Sequence, residues 1–311
     1  MTRIAATLRA LAALPVLMVA ALALAGPGAQ AQEAPRAVAV NYPLQYFAQR
    51  LLGDAAEVSF PVPDGVDPSF WRPSIAEISA IQSADLILLN GAGFATWVDR
   101  VSLPRSRLVN TTRAVEDKFI FTESITHSHG DGGEHSHDAV ASYTWLDPTL
   151  AGAQADAIAA AIARKNLAPP DAVYARLTEL LSELEALDSA ASATLSAAQG
   201  VPMIATHPRY QYLARRYGLS LSSLEWEAGA TPSETDLAAL EALAAETGAR
   251  ILIWEAEPPQ AALEAVQERG LKSVVFEPLA RPPQGGGESY LEAFEAAVAS
   301  LAEAVAQQPG N

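Results

Sequence analysis

The stretch PPDAVYARLTELLSELEALDSAASATLSAAQG, residues 169–200, decides how the rest of the chain is read. Its apolar residues Val173, Leu177, Leu180, Leu184, Leu187, Ala191 and Leu195 recur every three or four positions, which lines them up as one stripe on a helix. Asp171, just after Pro169 and Pro170, is placed to cap the start, and Gly200 is the natural stop. About 27 residues at about 1.5 Å each reach about 40 Å, the width of a small domain. A helix of that length, flanked on both sides by alternating strand and helix patterns, reads as a rigid strut between two lobes. A coiled-coil seam is the alternative, against which the heptad run is isolated and turns alanine-rich toward its end.

Upstream of the strut, strand-like and helix-like pieces alternate over 37–41, 43–52, 57–62, 75–84, 85–90, 94–101 and 107–111, and a helix follows over about 148–165. Downstream the alternation resumes over 202–205, 210–217, 219–224, 234–246, 250–254, 260–269 and 273–276, with a last helix over about 289–306. Alternation of this kind specifies parallel sheets covered by helices. The expected fold is therefore α/β, with two parallel-sheet lobes joined by one long rigid helix. Ligands of such sheets sit beyond the carboxyl ends of the strands, so a site in the cleft between the lobes should draw on the loops that follow strands.

The amino terminus carries Arg3 and Arg9, an apolar run over 11–25, and the small-x-small sequence Ala29-Gln30-Ala31. This is the pattern of an export signal cleaved after Ala31, and the run is short for a membrane span of about 20 residues. The expected organisation is a signal peptide over 1–31, an amino-terminal lobe over 32–168, the linking helix over 169–200 and a carboxyl-terminal lobe over 201–311. Cysteine is absent, which removes disulfides, thiolate metal sites and the lipid-modified cysteine of membrane-anchored receptors. A freely diffusing periplasmic monomer is expected. The net charge of −16 repels nucleic acid and anionic membranes, and loss of Arg3 and Arg9 deepens it. Neither Gly-x-Ser-x-Gly nor His-Glu-x-x-His occurs, so no enzyme activity is expected.

Four of the five histidines, His127, His129, His135 and His137, fall in a glycine-rich polar loop over 123–140, together with Asp131, Glu134 and Asp138. Imidazole and carboxylate in this density suit zinc, copper or nickel; a solvated low-complexity loop without a role is the plainer alternative. The fifth histidine, His207, follows the strand at 202–205 and so stands where a ligand would bind.

Several motifs then point one way: Val66-Asp67-Pro68 with Trp71 and Pro73, Ala84-Asp85-Leu86 leading to Asn90-Gly91, Trp145-Leu146-Asp147-Pro148, the segment beginning at His207, and Phe276-Glu277-Pro278-Leu279. In these the whole mature chain resembles the periplasmic solute-binding proteins of zinc and manganese ABC importers. The resemblance implies two α/β lobes on one long helix, a metal cleft between them, and a membrane permease as partner. A histidine-rich loop just before Trp-Leu-Asp-Pro resembles the zinc-specific members.

The ligand positions that the resemblance implies carry over unevenly. His207 matches a family histidine, and Glu277 stands in place of an aspartate. Ser69 and Tyr143 stand where the family has its two amino-lobe histidines. A closed zinc site needs about four good donors, so the loop histidines, or Glu255 after the strand ending at Trp254, would have to complete it. Tyr143 would serve as phenolate only after losing a proton of pKa about 10, which favours a harder ion such as ferric iron. The five tryptophans, Trp71, Trp97, Trp145, Trp226 and Trp254, are expected mostly in lobe cores, with some free to shield a cleft ligand. The function implied is capture of Zn2+, with Mn2+ or iron as lesser options, for delivery to a permease. The alternative is a receptor of the same fold whose altered cleft takes an organic solute or a metal chelate.

Overall fold

The structure is a computed structural model that describes residues 34–122, 139–226, 228–283 and 289–308. The expected signal peptide and the four loop histidines lie outside the described residues. Strands β1 (Arg36–Ala39), β2 (Glu57–Ser59), β3 (Leu86–Leu89) and β4 (Leu108–Asn110) form one all-parallel sheet in the order β2-β1-β3-β4. Strands β7 (Pro202–Ala205), β8 (Ser220–Ser223), β9 (Ile251–Trp254) and β10 (Lys272–Val275) form a second in the order β10-β9-β7-β8. Runs such as Leu86-Ile87-Leu88 and Ile251-Leu252-Ile253 are fully buried, as strands of a sheet covered on both faces must be. The two-sheet α/β architecture is the one expected.

Helices α1 (Tyr42–Leu52), α2 (Ile75–Ser83) and α3 (Pro148–Arg164) serve the first sheet; α5 (Gln211–Tyr217), α6 (Glu234–Thr247), α7 (Gln260–Glu268) and α8 (Tyr290–Ala306) serve the second. Serine caps with reciprocal bonds from the third helical residue start α2 at Ser74, α6 at Ser233 and α8 at Ser289. Between the sheets runs α4 (Pro170–Thr194), whose buried residues are the stripe read from the sequence: Val173, Leu177, Leu180, Leu184, Leu187 and Ala191. These residues belong to one apolar core that runs without a break from β1 and α1 through α4 to α8. Among the described residues no helix is long and apolar enough to cross a membrane.

Three details differ from expectation. Helix α4 is bounded by Pro169 rather than capped by Asp171, because Pro170 fits the first helical position, where no N–H is needed. It gives way after Thr194 to a 3-10 turn over Leu195–Ala198, where the Ser196 hydroxyl donates back to the Ala193 carbonyl at 2.7 Å. The piece over 94–101 forms only a 3-10 turn at Thr96–Arg100, since Ala92, Gly93 and Ala95 all take positive φ just before it. A short antiparallel pair, β5 (Phe121–Thr122) with β6 (Ala139–Val140), brackets the histidine-bearing segment and was not legible in the sequence.

Candidate functional site

In the second sheet the chain lays down β7, crosses to β8 on one side, and then places β9 and β10 on the other. The order reverses between β7 and β9, and at such a reversal the crossovers diverge and leave a crevice at the strands' carboxyl ends. Thr206, His207 and Arg209 follow β7 there, and Glu255 follows β9. In the first sheet β1 and β3 hold the equivalent place, with Asn41 and Asn90 at their carboxyl ends. Both residues are fully buried.

Arg209 reaches from the second sheet's crevice to the loop that follows β2. Its Nη2 donates to Asp67 Oδ2 at 2.8 Å and its Nε to Glu255 Oε2 at 3.1 Å. The guanidinium carbon lies 4.7 Å from the centre of the Tyr143 ring and 5.6 Å from that of Phe70. Two carboxylates and two aromatic rings thus cage one permanently charged cation whose side chain is 8 % exposed. Ser69 is committed to the same cluster, donating from its Oγ to Asp67 Oδ1 at 2.6 Å. Burial holds the Tyr143 phenol well above its ordinary pKa, and Arg209 only partly opposes this.

The wall that carries Tyr143 is set by a buried amide. Asn90 Nδ2 donates to the Ser142 carbonyl at 2.9 Å, while its Oδ1 accepts from Gln154 Nε2 at 2.9 Å. Opposite, residues 277–281 are tied to the first lobe: Trp145 Nε1 donates to the Pro278 carbonyl at 2.8 Å, and Tyr42 N to the Ala280 carbonyl at 3.0 Å. Between the walls lies a cavity of about 90 Å³ lined by Asp67, Tyr143, Glu255, Glu277 and Arg281 among others. Glu277 is half-buried; desolvation pushes its carboxyl up, Arg281 opposes and Glu257 adds.

His207 lies two residues before Arg209 on the same loop. Its Nδ1 is 3.0 Å from the Trp226 carbonyl, which can only accept, so Nδ1 carries the proton. In the neutral ring Nε2 then keeps its lone pair, the state in which imidazole binds metal. That nitrogen is 3.8 Å from Glu225 Oε2. The carbonyl bond fixes the ring so that only one nitrogen can act as a donor to an ion.

The structure therefore divides the expected ligand set. Tyr143, Glu255 and Glu277 share the cavity, with Ser69 beside it, but Glu255 holds Arg209 and Ser69 holds Asp67. His207 is oriented by Trp226 and faces Glu225 instead. Among the described residues no three His, Cys, Asp or Glu side chains come together as a metal would require. Burial raises the cost of a phenolate at Tyr143. Asp67, Arg209 and Glu225 are the residues that sequence reading missed. Asp67 and Arg209 sat inside quoted motifs, yet nothing local marked them as partners 142 positions apart. All five tryptophans are buried, two in an edge-to-face pair, Trp71 with Trp97, and two tilted together, Trp226 with Trp254.

The segment between β5 and β6 has its base at the junction of the lobes. Ala141 N donates to the Ile120 carbonyl at 2.9 Å, and Ile120 N donates to the Tyr212 hydroxyl at 3.3 Å, Tyr212 belonging to α5. Val140 leads directly to Tyr143 in the cleft wall.

A family model described as zinc-uptake complex component A, periplasmic, matches residues 38–304. The zinc-binding lipoprotein AdcA of Streptococcus pneumoniae serotype 4 is 26% identical over 284 residues, covering 87% of this chain and 56% of AdcA. The chain thus spans little more than half the length of that relative. The high-affinity zinc uptake system protein ZnuA of Bacillus subtilis is 26% identical over 267 residues, covering 82% of each. Among solved structures, the Zn(II)-bound ZnuA-like domain of S. pneumoniae AdcA superposes with a TM-score of 0.73 at 23% identity, covering 88% of this chain and 99% of that one.

Proposed function

The chain belongs to the family of periplasmic zinc-uptake components, and from that membership we propose that it is the receptor subunit of an ABC importer, capturing zinc and handing it to a membrane permease. The observation that carries this reading is His207: an imidazole at a strand reversal, its Nδ1 proton given to a carbonyl and its Nε2 left as a donor. The Glu225 carboxylate, 3.8 Å from that nitrogen, supplies neighbouring negative charge, and Glu277 lines the cavity of the same cleft. These residues alone leave zinc short of four donors, and the histidines of the segment bracketed by β5 and β6 supply the remainder in this account. The protein acts outside the cytoplasm, where its family is placed. It is a carrier and not a catalyst.

A second reading has its own observation. Arg209 neutralises a carboxylate pair at the cleft, so the cavity beside it could take an organic solute or a metal chelate. Metal analysis of protein recovered from the periplasm without a histidine tag decides between the two. One zinc per chain supports the receptor for the free ion; a metal-free protein carrying an organic ligand overturns it in favour of the second.

A further inference from the structure

We propose, resting on the zinc-receptor reading, that Arg209 is a specificity-determining residue that acts as a built-in cation. It fills the place between Asp67 and Glu255, bars a divalent ion from that carboxylate pair, and confines the cargo to the His207 side of the cleft. Asp67 comes from one lobe and Glu255 from the other, and each gives an oxygen to the same guanidinium at 2.8 and 3.1 Å. A guanidinium has no lone pair and cannot lose its charge, so it can neither join a coordination sphere nor make way by deprotonating. Tyr143 and Phe70 hold it against their rings, and Glu255 is as deeply buried as Arg209 itself. Swinging Arg209 out would leave a buried carboxylate without a partner, which the fold strongly resists. An ion that entered the pair with Arg209 in place would meet a fixed positive charge within ordinary ligand distance.

The pair offers oxygen donors only, with the Tyr143 and Ser69 hydroxyls beside it. An all-oxygen pair suits a hard ion such as Mn2+, whereas the imidazole of His207 suits zinc, so removing Arg209 should open a site of different preference from the one at His207. Arg209→Met keeps an unbranched apolar stem in place of the arginine's while deleting the guanidinium and its charge. Arg209→Lys keeps the charge.

The test is Mn2+ binding to the full mature chain, followed by calorimetry and by the rise in melting temperature that the ion produces. Arg209→Met should bind Mn2+ at least tenfold more tightly than the unaltered protein and gain a melting shift from it. Arg209→Lys should not, and Asp67→Asn added to Arg209→Met should remove the gain. A folded Arg209→Met with no gain in Mn2+ affinity overturns the proposal. Asp67→Asn in the otherwise unaltered protein gives an independent reading should Arg209→Met fail to fold. Zinc affinity within twofold of the parent supports the proposal, and a loss of tenfold or more overturns it by making Asp67 a cargo ligand. If the unaltered protein binds no zinc, the receptor reading fails on its own, and the Mn2+ comparison still decides the role of Arg209.

Discussion

At the scale of single residues, burial works against Tyr143 as a ligand. A phenol coordinates as phenolate, and burial pushes this one far above its ordinary value. Tyr143→Phe should therefore leave zinc affinity within about twofold, because burial disfavours the anion through which the phenol would bind. A tenfold loss on titration would show that the hydroxyl binds the ion. Gly91 makes a second point, since its φ is +78° and an added Cβ would lie 2.2 Å from Asn110 Oδ1 and 2.3 Å from Thr112 Oγ1. Gly91→Ala should cost about 3 kcal/mol and lower the melting temperature by roughly 6–10 °C. A change under about 2 °C in a thermal melt would mean that the loop moves aside freely. His207 was legible from its place after a strand, whereas Arg209 was not. An arginine two residues on looks like any other until the fold brings Asp67 to it.

At the scale of elements, α4 is fastened to both sheets by charge as well as by its stripe. Arg50 on α1 grips Glu183 through both nitrogens at 2.7 and 2.8 Å, and Asp188 accepts from Arg216 Nε at 2.8 Å and from Tyr217 at 3.1 Å. Arg50 holds the Glu183 carboxyl below its ordinary pKa. A carboxyl with a depressed folded-state pKa stabilises the protein above its unfolded value of about 4.3 and loses that contribution as pH falls through the folded value. The pair is partly solvent-exposed, so Glu183→Gln should cost only about 0.5–1 kcal/mol at pH 7, and the difference should be smaller at about pH 3. Melts of both proteins at the two pH values check this, and a cost that grows on acidification would contradict it. The helix could be read from sequence because its stripe repeats for six turns. Two-residue strands such as β5 and β6 have no period to read, and the 3-10 turn at Thr96–Arg100 depends on left-handed residues at Ala92 and Ala95 that alanine does not advertise.

At the scale of the whole molecule, the lobes are joined by more than a strut. The core is continuous across α4, and the bonds from Trp145, Tyr42 and Arg209 cross between the lobes directly. Small-angle scattering with and without zinc should therefore differ by less than about 1 Å in radius of gyration, and a larger contraction would show a hinge that these contacts do not allow. The two-lobed architecture was open to sequence reading because alternation and the long stripe are properties of the chain itself. The division of the ligand set was not, because it depends on which side chains the closed lobes leave free. We propose that zinc is held jointly by His207 and the histidines of the sequence between β5 and β6. Calorimetric zinc titration of the intact mature protein, of His207→Ala and of a chain lacking residues 126–138 tests it most directly. Loss of at least about tenfold in affinity at the tight site in both variants is the predicted result, since each removes donors that the rest cannot replace. Unchanged stoichiometry and affinity in either variant would contradict it.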